Sequence, residues 1–136
     1  MIRTALRWLL SLFYAVAGWF HLASPAPFLR ITPHFVPYPE SVILLTGLAE
    51  LAGAAALIQP RSLKLRRAAG IGLALYALCV WPANINHMLM DTASADGGWG
   101  LAYHIPRMIA QPVLIWLALW TGEVIDWPLG RKPARR

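Results

Sequence analysis

Residues 103–120, Tyr-His-Ile-Pro-Arg-Met-Ile-Ala-Gln-Pro-Val-Leu-Ile-Trp-Leu-Ala-Leu-Trp, are long and apolar enough to cross a bilayer, yet they carry His104, Arg107 and Gln111. At roughly 100° per residue, positions three and four apart fall within one narrow sector of a helix. A charge at the bilayer centre costs at least about 2.5 kcal/mol. The polar stripe must therefore face protein or water, and a chain that contains it has an inside.

The rest of the chain is of the same kind. Hydrophobic residues make up 58% and charged residues 13%, whereas soluble domains carry about a quarter charged residues. Four apolar segments, at about residues 4–22, 41–58, 68–90 and 101–121, approach the ~20 residues that span the hydrocarbon as a helix. We expect an all-α fold, a four-helix transmembrane bundle forming a single domain over residues 1–136. The net charge of +6 sits at segment ends: Arg3 and Arg7 in front of the first, Arg61, Lys64, Arg66 and Arg67 between the second and third, Arg131, Lys132, Arg135 and Arg136 after the fourth. The other two connections hold Arg30, Glu40, Asp91 and Asp96. Positive residues mark cytoplasmic loops, so both termini are expected on the cytoplasmic side. Attraction to anionic headgroups accounts for the basic residues, with membrane lipid rather than nucleic acid as the partner. The first segment stays apolar past its Ala15-Val-Ala17 triplet, which fits a retained helix better than a cleaved leader.

Along the chain, Tyr14, Gly18 and His21 share a helix face, with Gly18 permitting close approach of a neighbour. Residues 23–40 follow, with five prolines among aromatic and aliphatic side chains. The prolines oppose a long helix, and the apolar surface is expected to fold back over the outer mouth, Phe28, Phe35 and Tyr38 lying at headgroup depth. Glu50 sits near the centre of the second segment among glycines and alanines, where a carboxylate must be neutral, paired or bound to a ligand. Cys79 lies alone in the third segment, which excludes a Cys-x-x-Cys thiol relay and reads as a small buried residue. Pro82 should kink that segment, while Asn84 and His87 share a face and Asn86 points elsewhere. The connection 91–100 is acidic and glycine-rich, and Pro112 should bend the last helix near Gln111.

Orientation and depth place His21, Asn84, His87, His104 and Arg107 in the outer half, with Tyr14, Glu50 and Gln111 a step deeper. One pocket open toward the outer leaflet can gather them, with Arg107 and Glu50 as the natural ion pair, since each is expensive alone. The same groups also suit the simpler task of holding helices in register.

These residues carry a resemblance to a known family. Ala17-Gly18 with His21 and Pro27, Thr46-Gly47-Leu-Ala-Glu50, Trp81-Pro82-Ala83-Asn84-Ile85, and Arg107 with Gln111 resemble the DoxX-like membrane proteins over almost the whole chain. The resemblance implies a four-helix fold in a bacterial-type inner membrane. It also implies association with membrane redox complexes, the family name coming from a subunit linked to thiosulfate:quinone oxidoreduction.

Three functions compete on these residues. In a quinone-associated oxidoreductase or redox subunit, Glu50, His104 and Arg107 are the candidate catalytic groups: Arg107 polarises a carbonyl and Glu50 or a histidine moves the proton. Tyr14, His21, Asn84, His87 and Gln111 then bind the quinone or a similar hydrophobic molecule. In a non-catalytic assembly subunit, the pocket takes lipid, a membrane redox partner or a second copy of the chain. The third reading is a metal or haem site built from His21, His87 and His104, although no local ligand spacing supports it.

Overall fold

The computed structural model describes residues 1–127; Arg131, Lys132, Arg135 and Arg136, which enter the charge argument, lie outside them. Among the described residues the chain is all helical, with α1 at Ile2–Ala23, α2 at Ala26–Ile31, α3 at Pro39–Ile58, α4 at Leu63–Ala93 and α5 at Leu101–Thr121. The four long helices form a closed circuit of contacts: α1 packs on α3, α3 on α4, α4 on α5 and α5 on α1. Short α2 rests on α3 and α4.

Three helices, α1, α3 and α4, are long and apolar enough to cross a membrane, where the sequence predicts four. At 21 residues α5 has the length, but His104, Arg107, Gln111 and two prolines dilute its apolar character. The side-chain distribution is inverted relative to a water-soluble domain. Trp8, Leu12, Trp19, Leu45, Leu75, Leu78 and Ile109 are exposed, while Ser11, His21, Glu50, Asn84, His87, His104, Gln111 and Thr121 are buried. The apolar core is a smaller cluster around Leu10, Tyr14, Leu57, Leu73 and Ala118. A surface of large apolar side chains around a polar interior is what lipid as a solvent selects.

Several boundaries differ from the sequence expectation, each for a local reason. Helix α4 begins at Leu63 rather than near residue 68, because the Ser62 hydroxyl accepts the Leu65 N–H at 3.2 Å and caps it. The connection from α3 is closed by Gln59, whose side-chain amide donates to the Ser62 carbonyl oxygen at 2.8 Å and accepts the Ser62 N–H at 2.8 Å. At its far end α4 continues to Ala93, which places Asp91 on the helix and not in the loop. The proline-rich segment contains one short helix, α2, with proline in its first turn, where the missing N–H costs nothing. Cys79 is exposed on the apolar flank rather than buried.

The packing of α1 on α3 depends on two glycines. A Cβ on Gly18 would lie 2.7 Å from the Gly47 carbonyl oxygen, and one on Gly47 would lie 2.8 Å from the His21 Cβ. Backbone meets backbone here, so no side chain can turn aside to make room. Gly18→Leu is expected to force α1 off α3 and lower stability by at least about 2 kcal/mol, read as a fall in the thermal unfolding midpoint in detergent. An unchanged midpoint would contradict the close crossing.

The two ends of the molecule differ in chemistry. At one end Glu123 Oε1 accepts from Arg7 at 2.8 Å and from Arg66 at 2.7 Å. Arg67 donates to the Glu123 main-chain oxygen at 3.0 Å, and Arg3 pairs with Asp126 at 2.7 Å and lies over the Trp120 ring. This basic end ties the starts of α1 and α4 to the end of α5. The opposite end carries His21, His87, His104, Asp91 and the α2 segment.

Candidate functional site

The Gly18 and Gly47 crossing determines what Glu50 meets. With α1 this close to α3, His21 reaches across, and its Nδ1 lies 2.9 Å from Glu50 Oε2 and 2.9 Å from its own helix's Ala17 carbonyl oxygen. The N–H donates to the Ala17 carbonyl oxygen, and Glu50 Oε2 lies beside it at ion-pair distance without a hydrogen bond of its own. Tyr76 from α4 lines the same cavity as the carboxylate. Phe28 of α2 stacks on the His21 ring, with centroids 3.8 Å apart and planes inclined at 22°. The expected Glu50–Arg107 ion pair is not formed. Arg107 donates instead to His87 Nδ1 at 2.9 Å and to Asn84 Oδ1, both on α4. Helix α5 packs closely on α4, so the guanidinium finds its acceptors on that neighbour, while Glu50 has its ion-pair contact from His21 of α1.

Glu50 and Arg107 nevertheless face one hollow. A cavity of about 380 Å³ is lined by Phe13 and Tyr14 of α1, Glu50 of α3, Tyr76, Ala77, Val80 and Asn84 of α4, and Tyr103, Arg107, Ala110, Gln111 and Leu114 of α5. All four long helices contribute to it. Half-exposed Phe13 and Tyr103 flank it on the apolar side of the molecule. A second cavity of about 250 Å³ lies beneath the α2 segment, lined among others by His21, Phe28, Phe35, Ile43 and Thr46. The two share Tyr76, Val80, Asn84 and Arg107 as a common wall. The α2 segment thus roofs part of the interior, and Asn86 holds it there by donating to the Ile31 carbonyl oxygen at 2.9 Å. Phe35 and Tyr38 stay exposed.

Three polar atoms of residues lining the first cavity have no hydrogen-bond partner among the described residues: the Tyr14 hydroxyl, Glu50 Oε2, which has only the ion-pair contact from His21, and Gln111 Oε1. Tyr14 is almost fully buried and Gln111 nearly so. Buried polar atoms usually find partners, so a donor and two acceptors left in one apolar hollow mark places where a bound molecule can supply the missing bonds.

Of the residues singled out from sequence, Glu50, Arg107, Tyr14, Asn84 and Gln111 meet in this cavity. His21 reaches only the second one, together with a shallow surface hollow near Glu40. His87 and His104 line neither cavity and form a separate group toward the histidine end. His104, fully buried, places Nε2 at 2.9 Å from Asp91 Oδ2, and His87 Nε2 lies 3.6 Å from the same oxygen. The three-histidine cluster is therefore not assembled, since His21 is engaged with Glu50. Asp91 takes its place, although the sequence reading puts it among the loop acids. The signal for it is the His87 and Asp91 spacing of i and i+4, with no glycine or proline between Pro82 and Gly97 to end the helix. Tyr76, equally overlooked, is three positions from Cys79 and has no polar neighbour in sequence to distinguish it from core.

The turn after α4 is built around Asp91. Its Oδ2 also accepts the Trp99 N–H at 2.9 Å, and Gly98, at φ 52°, lies so close that a Cβ there would come within 2.6 Å of both carboxylate oxygens. Asp96 shapes this turn by accepting from the Ser94 hydroxyl and from the Gly98 N–H at 3.1 Å, bonds that hold its carboxyl below the usual carboxylate range.

The fold and site define a small helical protein with an apolar exterior, a polar interior cavity and a histidine cluster at one end. Residues 10–122 match the model of a family described as Domain of unknown function (DUF8561), and the chain belongs to that family. The matched span contains the whole lining of both cavities and the whole histidine cluster. No curated protein and no solved structure matches the chain.

Proposed function

We propose that the chain is an integral protein of a bacterial-type inner membrane, a four-helix transmembrane bundle with both termini cytoplasmic, that binds a quinone-class ring in the larger cavity and serves a membrane redox system. The orientation rests on the basic end, where Arg3, Arg7, Arg66 and Arg67 gather. The redox association rests on the resemblance to DoxX-like proteins.

The observation that carries the ligand class is the set of three unpartnered polar atoms, among them the Tyr14 hydroxyl and Gln111 Oε1, in an apolar, aromatic hollow. A quinone presents carbonyl oxygens at opposite edges of a flat apolar ring, and its reduced form presents hydroxyls there. The Tyr14 hydroxyl can donate to the oxidised form, and Gln111 Oε1 can accept from the reduced form. Arg107, anchored by Asn84 and His87, adds positive charge where an oxygen gains electron density. Reduction of the ring takes two electrons and two protons. The electrons come from a redox partner protein, and Glu50 with His21 and Tyr76 supplies a route for a proton between cavity and surface.

Purified protein in detergent should bind a short-chain quinone saturably, read by quenching of tryptophan fluorescence. Arg107→Ala should weaken that binding on the order of tenfold to a hundredfold, since hydrogen bonds to charged groups contribute about 1.5–3 kcal/mol. Folded wild-type protein that shows no saturable binding would end this reading.

A further inference from the structure

We propose that His87, Asp91 and His104 form a binding site for a divalent transition-metal ion of the zinc class, separate from the cavity and in competition with Arg107 for His87. Each residue offers one ligand atom, and these atoms all lie within 4.8 Å of one another. With bonds of about 2.1 Å, neighbouring ligands of a tetrahedral zinc ion stand about 3.4 Å apart. The separations of 2.9 Å from His104 Nε2 and 3.6 Å from His87 Nε2 to the shared Asp91 oxygen bracket that value. Two imidazoles and one carboxylate leave a fourth position for water, a set that suits zinc and its first-row neighbours and not the hard alkaline-earth ions.

A purely internal account leaves atoms over. If the His104 N–H donates to Asp91, that carboxylate oxygen already holds the Trp99 N–H as well, and His87 Nε2 stays buried with no hydrogen bond. The carboxylate itself is held in place by the Trp99 N–H, with Gly98 packed against it, the kind of support that orients ligands in metal sites.

Arg107 makes the site switchable. A guanidinium cannot deprotonate in a protein, so Arg107 is the donor to His87 Nδ1 and the His87 proton is then on Nε2. A metal ion on Nε2 needs the opposite tautomer, with the proton on Nδ1, and the Arg107 bond must break. Metal binding therefore releases one arm of Arg107 from α4 beside the cavity, and the Arg107–His87 bond weakens metal binding.

The test is a cobalt(II) titration of the full chain, purified in detergent without a polyhistidine tag and followed by visible ligand-field absorption, with zinc as competitor. One ion per chain is expected. Asp91→Asn and His104→Gln should weaken binding on the order of a hundredfold, and His34→Gln, on the α2 to α3 connection, should leave it unchanged. Arg107→Gln should bind the ion more tightly, a gain that misfolding cannot produce. Absence of a saturable cobalt spectrum in folded wild-type protein, or equal binding in the Asp91 and His104 variants, would overturn the site. Weaker or unchanged binding in Arg107→Gln would overturn the competition.

Discussion

Replacing Glu123 by alanine is expected to lower the stability of the folded chain by about 3 kcal/mol, as removal of one partner from a shielded ion pair does. This single carboxylate oxygen accepts from both Arg7 and Arg66, while its main-chain oxygen holds Arg67. The side chains of Arg7, Arg66 and Glu123 are each only 11–15% exposed, so water replaces little of what is lost. Without Glu123 two guanidinium groups would confront each other at close range, and the start of α1, the start of α4 and the end of α5 would lose their common tie. Equilibrium unfolding in detergent is the measurement, and Glu123→Gln should recover only part of the loss because the amide keeps the shape without the charge. A variant as stable as wild type would show that the knot is an incidental surface network of the kind that contributes almost nothing. Quinone binding in the folded fraction should be unaffected, since the knot lies at the opposite end from His21.

This knot also shows where sequence reasoning reaches its limit. In sequence, Arg3, Arg7, Arg66 and Arg67 speak through their sign alone, as markers of sidedness. Nothing local connects residue 7 or 66 to residue 123; the contact exists because three helix ends converge. The same limit explains Glu50 and Arg107. Each is legible as inward-facing, because an ionisable side chain on an apolar helix has nowhere else to go. Opposite charge suggests that they pair with each other, whereas which helices touch decides the matter. Gly18 and Gly47 bring α1 onto α3 and deliver His21 to Glu50, while α5 lies on α4 and delivers Arg107 to Asn84 and His87. Helix periodicity is legible from Tyr14, Gly18 and His21, all buried on one face, and from His104 and Gln111. Pairing between helices is not, because four long helices can close into a bundle in several neighbour orders with the same hydropathy.

Glu50 separates a working group from a scaffold, and two substitutions at this one position decide between them. Glu50→Leu removes the carboxylate that faces buried His21 at ion-pair distance. Removing one partner of a buried ion pair costs about 3–5 kcal/mol, so a large loss of stability is expected under either account and by itself discriminates nothing. Glu50→Gln is the informative change. Its amide keeps a polar group beside His21, and the volume is the same, so unfolding in detergent should stay within about 1 kcal/mol of wild type. An amide cannot carry the proton. If Glu50 serves the bound ring as proposed, proton uptake coupled to quinone reduction should slow by at least about a hundredfold while quinone affinity stays close to wild type. The experiment reconstitutes the protein in vesicles with its redox partner and follows quinol formation alongside the thermal midpoint. A Glu50→Gln variant whose turnover falls only as far as its stability does would mean that the carboxylate holds α1 on α3 and nothing more. The chain would then be an assembly subunit, with the cavity as a seat for lipid.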